Sequence, residues 1–103
     1  MRIIREVYHD YPTEEQLAFI QEYPTYISDW HLLMSYVQLL WWGGKDYCYR
    51  TDNTWTLITC GWSGNEEIIA ALQRNYVFWM VYWKQSNRGG KYIFEPLNKE
   101  SEE

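Results

Sequence analysis

The side chains of this 103-residue chain that could hold a metal or act as nucleophiles are few: Cys48, Cys60, His9 and His31. Structural zinc is normally held by ligands in close pairs such as C-x2-C. Cys48 and Cys60 stand too far apart for such a pair, and the two histidines are isolated in sequence. With Thr51-Asp52-Asn53 as a turn, the flanking strands set Cys48 opposite Thr56, not opposite Cys60. The spacing therefore predicts no metal and no cofactor. A reactive thiolate needs a helix N-terminus or a neighbouring cation, and neither cysteine has an obvious one. Two free, mostly buried cysteines are expected. Ser63 is not in a nucleophile elbow, because Gly61-Trp62-Ser63-Gly64-Asn65 lacks the final glycine of G-x-S-x-G. Glu14-Glu15 and Glu66-Glu67 are paired carboxylates, but both pairs fall at helix starts, where the dipole accounts for them. No residue is assigned as catalytic.

Two segments are better suited to binding than to catalysis. Cys60-Gly61-Trp62-Ser63-Gly64-Asn65 joins a strand to a helix start through two glycines. Free backbone N–H groups there can hold an anion. The spacing is neither G-x-G-x-x-G nor a Walker loop, however, and Glu66 with Glu67 would repel negative charge. A capped helix entered through a tight turn is the plainer reading, with Ser63 and Glu66 as a capping box. Trp62 is left over as a staple or a contact residue. Ser86-Asn87-Arg88-Gly89-Gly90 is the second segment, a glycine turn that presents Arg88 between Lys84 and Lys91. Trp62, Ser63, Asn65, Glu66, Trp79, Trp83 and Arg88 are the expected binding residues, since Trp and Arg are enriched in binding hot spots.

The elements that must position them follow from pattern. Residues 2–8 alternate loosely, as a short strand or extended arm. Thr13 and Gln16 form a capping box, and the helix they open must stop before Pro24. Ser28 is the expected N-cap of a second helix carrying Trp30, Leu33, Met34, Val37, Leu40 and Trp41 at helical spacing, ended by Gly43-Gly44. Residues 46–50 and 54–60 read as a hairpin. A third helix buries Ile68, Ile69 and Leu72. Beyond it, Ile68, Leu72, Tyr76, Trp79 and Trp83 fit one long helix, while the aromatic and β-branched content of 76–83 favours a strand. The strand is taken, apolar on both faces and hence central in its sheet, returning through 86–90 into 91–94. The fold class is α+β: a four-stranded, mainly antiparallel sheet of two hairpins, covered by about three helices. Residues 1–97 form one domain and 98–103 a polar acidic tail.

Composition narrows the function classes. Hydrophobic residues make up 47%, enough to drive folding. Seven Trp and ten Tyr exceed what the core of so small a domain hides, so a recognition surface is expected outside. The net charge of −5 argues against binding duplex nucleic acid. The longest apolar run, 76–83, is too short for a bilayer, and 1–5 has no signal-peptide core. A cytoplasmic protein is expected.

The stretch Trp62-Ser63-Gly64-Asn65-Glu66, followed by Phe78-Trp79, Trp83, Ser86, Arg88-Gly89-Gly90 and Phe94-Glu95, resembles a recurrent type of short reading frame in tailed bacteriophages and prophages. The resemblance implies an accessory protein in the cytoplasm of a bacterial host, acting stoichiometrically on a host or defence protein as anti-CRISPR and other counter-defence proteins do. The leading expectation is therefore a non-enzymatic inhibitor that binds a bacterial protein. Two alternatives stand beside it. One is a binder of a small nucleotide signal, with Trp62, Ser63, Asn65 and Arg88 on one pocket. The other is a small enzyme using Cys48 or Cys60 with a histidine. A homodimer is favoured by the aromatic surplus and by an edge strand at 91–95.

Overall fold

The computed structural model describes residues 11–96. The expected arm at 2–8, His9 and the acidic tail at 98–103 lie outside the described residues. The chain forms α1 (Glu14–Glu22), α2 (Trp30–Leu40), a 3-10 turn (Gly44–Asp46), β1 (Cys48–Thr51), β2 (Thr54–Ile58), α3 (Ser63–Arg74), α4 (Tyr76–Tyr82), β3 (Trp83–Asn87) and β4 (Lys91–Phe94). The class is α+β, with one four-stranded antiparallel sheet in the order β1-β2-β4-β3.

Local chemistry sets most boundaries. Both arms of the Thr13–Gln16 capping box are made: Gln16 N donates to Thr13 Oγ1 at 3.0 Å and Thr13 N to Gln16 Oε1 at 2.8 Å. Tyr23, before Pro24, is extended at φ −62°, ψ 125°, and α1 stops there. The second helix is capped by Asp29, whose carboxylate accepts from His31 N at 3.0 Å, not by Ser28. A carboxylate suits the positive end of the helix better than a hydroxyl. The β1–β2 turn uses only Asp52 and Asn53, with Asp52 at φ 57°. The turn is shorter than expected, so Cys48 pairs with Leu57, not Thr56. Both fall on the covered face, where the Cys48 thiol is fully buried and desolvation pushes its pKa up to about 12.

Residues 76–82 are helical, not the expected central strand. Asn75 decides this. Its backbone breaks the helical path at φ −84°, ψ 85°, and its N–H still closes α3 onto Ala71 and Leu72. Its Oδ1 then accepts from Phe78 N at 3.2 Å, which starts α4. Its Nδ2 donates to Ile20 O at 3.0 Å and Tyr23 O at 2.9 Å, anchoring the break to the end of α1. Helical turning drops Phe78 into the core against Trp30, Tyr82 and Phe94. A strand would have left its apolar residues split between two faces with only one covered.

The sheet edges differ from expectation in consequence. β4 is interior, between β2 and β3, and β3 is an edge with all five residues exposed. The register slips between Trp83 and Gln85, so Lys84 bulges out and its ammonium meets Glu95 at 3.0 Å. On the covered face, Cys48, Trp55, Leu57 and Phe94 pack with Leu33, Met34 and Val37 of α2 and Ile68, Ile69 and Leu72 of α3. No described helix is long and apolar enough to cross a membrane.

Candidate functional site: three loops at one end of the sheet

The strand registers sort the candidate residues into two groups. Ile58, Lys91 and Asn87 are aligned at one end of the sheet, and Trp55, Phe94 and Trp83 toward the other. Four residue steps along β3 separate the two ends by about 13 Å. The segment 41–47, the turn 59–62 and the turn 88–90 all gather at the Ile58 end.

Two buried polar residues join these loops. Asn65 has no exposed surface. Its Oδ1 accepts from Trp42 N at 2.9 Å, and its Nδ2 donates to Trp42 O at 3.3 Å and Thr59 O at 3.2 Å. Thr59 is 2% exposed, and its N–H donates to Gly90 O at 3.0 Å. Its hydroxyl accepts from Gly61 N at 3.3 Å and donates to Glu66 at 3.5 Å. Gly90 sits at φ +78°, and a β-carbon there would collide with the Thr59 hydroxyl. The close approach of the β3–β4 turn to β2 thus depends on glycine. From the other side, Trp41 Nε1 donates to Ile58 O at 3.0 Å and Ile58 N to Tyr47 O at 2.8 Å. An orphaned buried polar group is costly, so each of these bonds fixes the loops relative to the sheet.

Ser63 and Glu66 do not form a capping box. Trp62 is the N-cap residue and its side chain makes no capping bond, while Ser63 is the first helical residue. The indole instead folds over Gly64, where any β-carbon would collide with the ring. Tyr11 closes the other side: its ring lies 4.9 Å from that of Trp62, and its hydroxyl is 2.7 Å from Ser63 Oγ. Trp62 is therefore a held aromatic, half-buried, on a loop. Trp42 stacks on Tyr47 with centroids 6.2 Å apart in the neighbouring loop. An open hollow of about 380 Å³ lies beside it, lined by Gln38, Leu39, Trp41, Gly43, Gly44 and Lys45. Arg88 is exposed in the third loop.

The structure thus brings the turn bearing Trp62, Ser63 and Glu66 beside the turn bearing Arg88. It makes Asn65 an internal joint with no accessible surface, not a contact residue. Trp79 and Trp83 lie at the far end of β3. There they stack at 5.8 Å, Trp79 packs on Phe94 at 5.6 Å, and Trp83 Nε1 donates to Ser86 at 2.9 Å. Trp42, Tyr47 and Thr59 were not singled out from sequence. A threonine ending a strand before Cys-Gly was a visible signal for the last.

Cysteine chemistry finds little support in this layout. Cys60 is exposed, not buried as expected, and holds φ 56° in the turn. His31 is the one histidine among the described residues. Its ring accepts from Trp55 Nε1 at 3.0 Å and contacts Asn53 Oδ1 at 2.8 Å, at the opposite end of β2 from Cys60. Gln38, bonded to Cys48 O at 2.7 Å, stands seven residues along α2 from His31, about 10 Å by helical rise. Neither thiol therefore has a histidine beside it among the described residues. Those residues also contain no group of three His, Cys, Asp or Glu side chains placed to hold a metal ion. No family model, curated protein or solved structure matches this chain.

Proposed function

We propose that the chain is a small phage-type accessory protein that binds a bacterial host or defence protein and inhibits it stoichiometrically, without chemistry of its own. The three-loop end is its contact surface. One observation carries the reading: buried Asn65 and Thr59 fix three loops together, and those loops present a held Trp62 and an exposed Arg88. Aromatics and arginine on a pre-organised surface bind with less ordering cost than on mobile loops. The test is capture of partners from a bacterial lysate by wild type and by Arg88→Glu. A specific partner held by the wild type and lost by the variant supports the reading; absence of any specific partner overturns it.

A second reading, sequestration of a small nucleotide signal, draws on the hollow beside Trp41 and Lys45. Stacking of a base on a nearby ring quenches tryptophan emission. Titration with mono- and cyclic nucleotides that leaves the emission unchanged to about 1 mM, the weak end of useful affinity, removes it.

A further inference from the structure

The charge of the chain is divided unevenly between its two layers. Among the described residues, the helices with their connections, 11–43 and 59–82, carry six carboxylates against one cation, Arg74, a net of −5. The sheet segments, 44–58 and 83–96, carry five cations against Asp46, Asp52 and Glu95, a net of +2. The acidity therefore belongs to the helical layer, and the sheet has the opposite sign. α1, with exposed Glu14, Glu15 and Glu22, packs on α3 behind the sheet. A helix is about 10 Å thick, and exposed charges further apart than about 8 Å are largely screened at physiological salt. Glu66, which accepts from Thr59, sits at the positive end of α3, where the dipole offsets it.

Strand register identifies the open side of the sheet. Cys48, Trp55, Leu57 and Phe94 face the helices, and Ile20, Val37, Ile68 and Phe78 bring all four helices onto that side. The alternate residues point the other way. Tyr49, Thr56, Ile93 and Gln85 form one cross-strand row, and Ile58, Lys91 and Asn87 the next. No described element lies over these rows, and neither row holds a carboxylate. Tyr49, Ile58 and Ile93 are half-buried, around a Thr56 that is 9% exposed, so the middle of the face is apolar and tightly set. Lys84 is spent on Glu95, and Arg50 Nε donates to Asp52 O. Arg88 and Lys91 have no carboxylate within ion-pair distance among the described residues. Both stand where the face meets the three loops: Lys91 pairs with Ile58, and the next residue, Thr59, donates its N–H to Gly90 O.

We propose that the contact surface of the three-loop end continues onto this open face, and that it fits a protein surface bearing carboxylates around an apolar centre. The proposal rests on the three-loop reading of function and names the partner's chemistry. An apolar middle with a polar, charged rim is the anatomy of a protein interface. A single-stranded nucleic acid needs successive rings as stacking platforms, and these rows offer Tyr49 alone, half-buried. The uneven charge also orients the encounter, since an anionic partner is drawn to the sheet and repelled by the helices. Two proteins of like net charge then associate faster at low salt, the opposite of what net charge alone dictates.

Fluorescence anisotropy on the purified full chain tests it with labelled probes. One is a peptide of about ten residues alternating Glu with Leu and Phe, long enough to cross four strands about 4.8 Å apart. The others are the same peptide with Gln for Glu, and an oligothymidylate of equal length. At about 20 mM salt the acidic peptide is expected to bind at least about tenfold more tightly than the Gln peptide, and about 0.3 M salt is expected to remove most of that difference. Lys91→Glu and Gln85→Glu, both on the open face, are each expected to weaken the acidic peptide at least about fivefold. Glu15→Gln, exposed on α1, is expected to leave it unchanged. Far-UV circular dichroism confirms that each variant is folded. Failure of the acidic peptide to bind, equal binding of the two peptides, or indifference to both sheet variants overturns the proposal. Tighter binding of oligothymidylate than of the acidic peptide also overturns it and assigns the face to single-stranded nucleic acid. The three-loop reading fails separately: if Arg88→Glu loses a protein captured from lysate while Lys91→Glu and Gln85→Glu keep it, the loops are the contact and the open face is not.

Discussion

Both ends of the sheet hinge on a buried asparagine, and the two produce opposite surfaces. At the loop end, Asn65 spends its side chain on the backbone of two loops distant in sequence and locks them down. What remains outside is mixed: polar Ser63, Glu66 and Arg88 beside exposed Tyr11 and Tyr47, with Trp62 tucked between Tyr11 and Gly64. At the other end, Asn75 starts a helix in mid-chain and ties it to α1. That helix is apolar on every side, whereas the core has room for one side. A buried amide therefore organises loops where the neighbouring sequence is polar, and strands a greasy face where it is apolar. The aromatic surplus of the composition is resolved at these two places. Trp30, Trp41 and Trp55 are buried, Trp42, Trp62 and Trp79 are half-buried, Trp83 is 40% exposed, and the rest of the exposed apolar surface is mostly tyrosine, methionine and aliphatic.

The largest expected effect separates the two faces of α4. Phe78→Ala removes the ring that holds the helix in the core and is expected to cost about 4 kcal/mol, whereas Met80→Ser, two residues on, is expected to change the stability of the monomer by less than about 0.5 kcal/mol. Urea denaturation at low protein concentration reads both. Similar costs at the two positions would mean that α4 has no solvent-facing side.

Next come the asparagines. Asn65→Ala strands Trp42 N–H and the Thr59 carbonyl, and is expected to cost about 3 kcal/mol. Asn75→Ala, which loses a cap as well as two carbonyl bonds, is expected to cost a similar amount. Hydrogen exchange distinguishes them. The first is expected to expose amides of 41–47 and 59–62, the second those of α4 and the α1–α2 connection. If either substitution loosened both ends, the two would be one cooperative unit and the contrast between them would fail. A smaller effect, about 1 kcal/mol, is expected for Gly64→Ala. The new methyl displaces the Trp62 ring from Tyr11 while gaining helix propensity, so near-ultraviolet circular dichroism should change more than the denaturation midpoint does.

The loop end was partly legible in the sequence and the α4 end was not. Gly61, Gly89 and Gly90 announced tight turns, and the Thr13–Gln16 box announced α1, because capping and turn chemistry are local. That Thr59 would bond Gly90 could not be read, since it depends on β2 pairing with β4 and not with β3. At 76–82 both periodicities fit, and aromatic content favoured the strand. The deciding residue was Asn75, which precedes Phe78 by the spacing of an N-cap; its commitment came from the carbonyls of α1, more than fifty residues upstream. The β3 edge followed from the same misreading: once residues 76–82 are helical, the strand left is Trp83–Asn87, which is mostly polar and exposed and has no two apolar faces to bury in the middle of a sheet. Likewise Cys48 shifted its cross-strand partner by one residue because the turn was one residue shorter than its composition suggested.

The smallest effect at neutral pH concerns the cysteines, which share the loop end of the sheet and divide by depth. Cys60 lies exposed in the loop turn, and Cys48 is sealed under α2 with its pKa raised from 9.0 to about 12. In the folded protein one thiol should react with a disulfide reagent within minutes, and the second only as fast as the chain unfolds. Cys48→Ala should cost under about 1 kcal/mol at pH 7, where the thiol is protonated in both folded and unfolded chains. Above pH 9 the unfolded chain loses the Cys48 proton while the folded chain keeps it. Stability should then fall with rising pH from 9 toward about 12, and the slope should be shallower in Cys48→Ala than in wild type. Equal slopes in the two proteins would mean that Cys48 is far better solvated than its burial implies, and that the covered face of the sheet is open to water at its loop end.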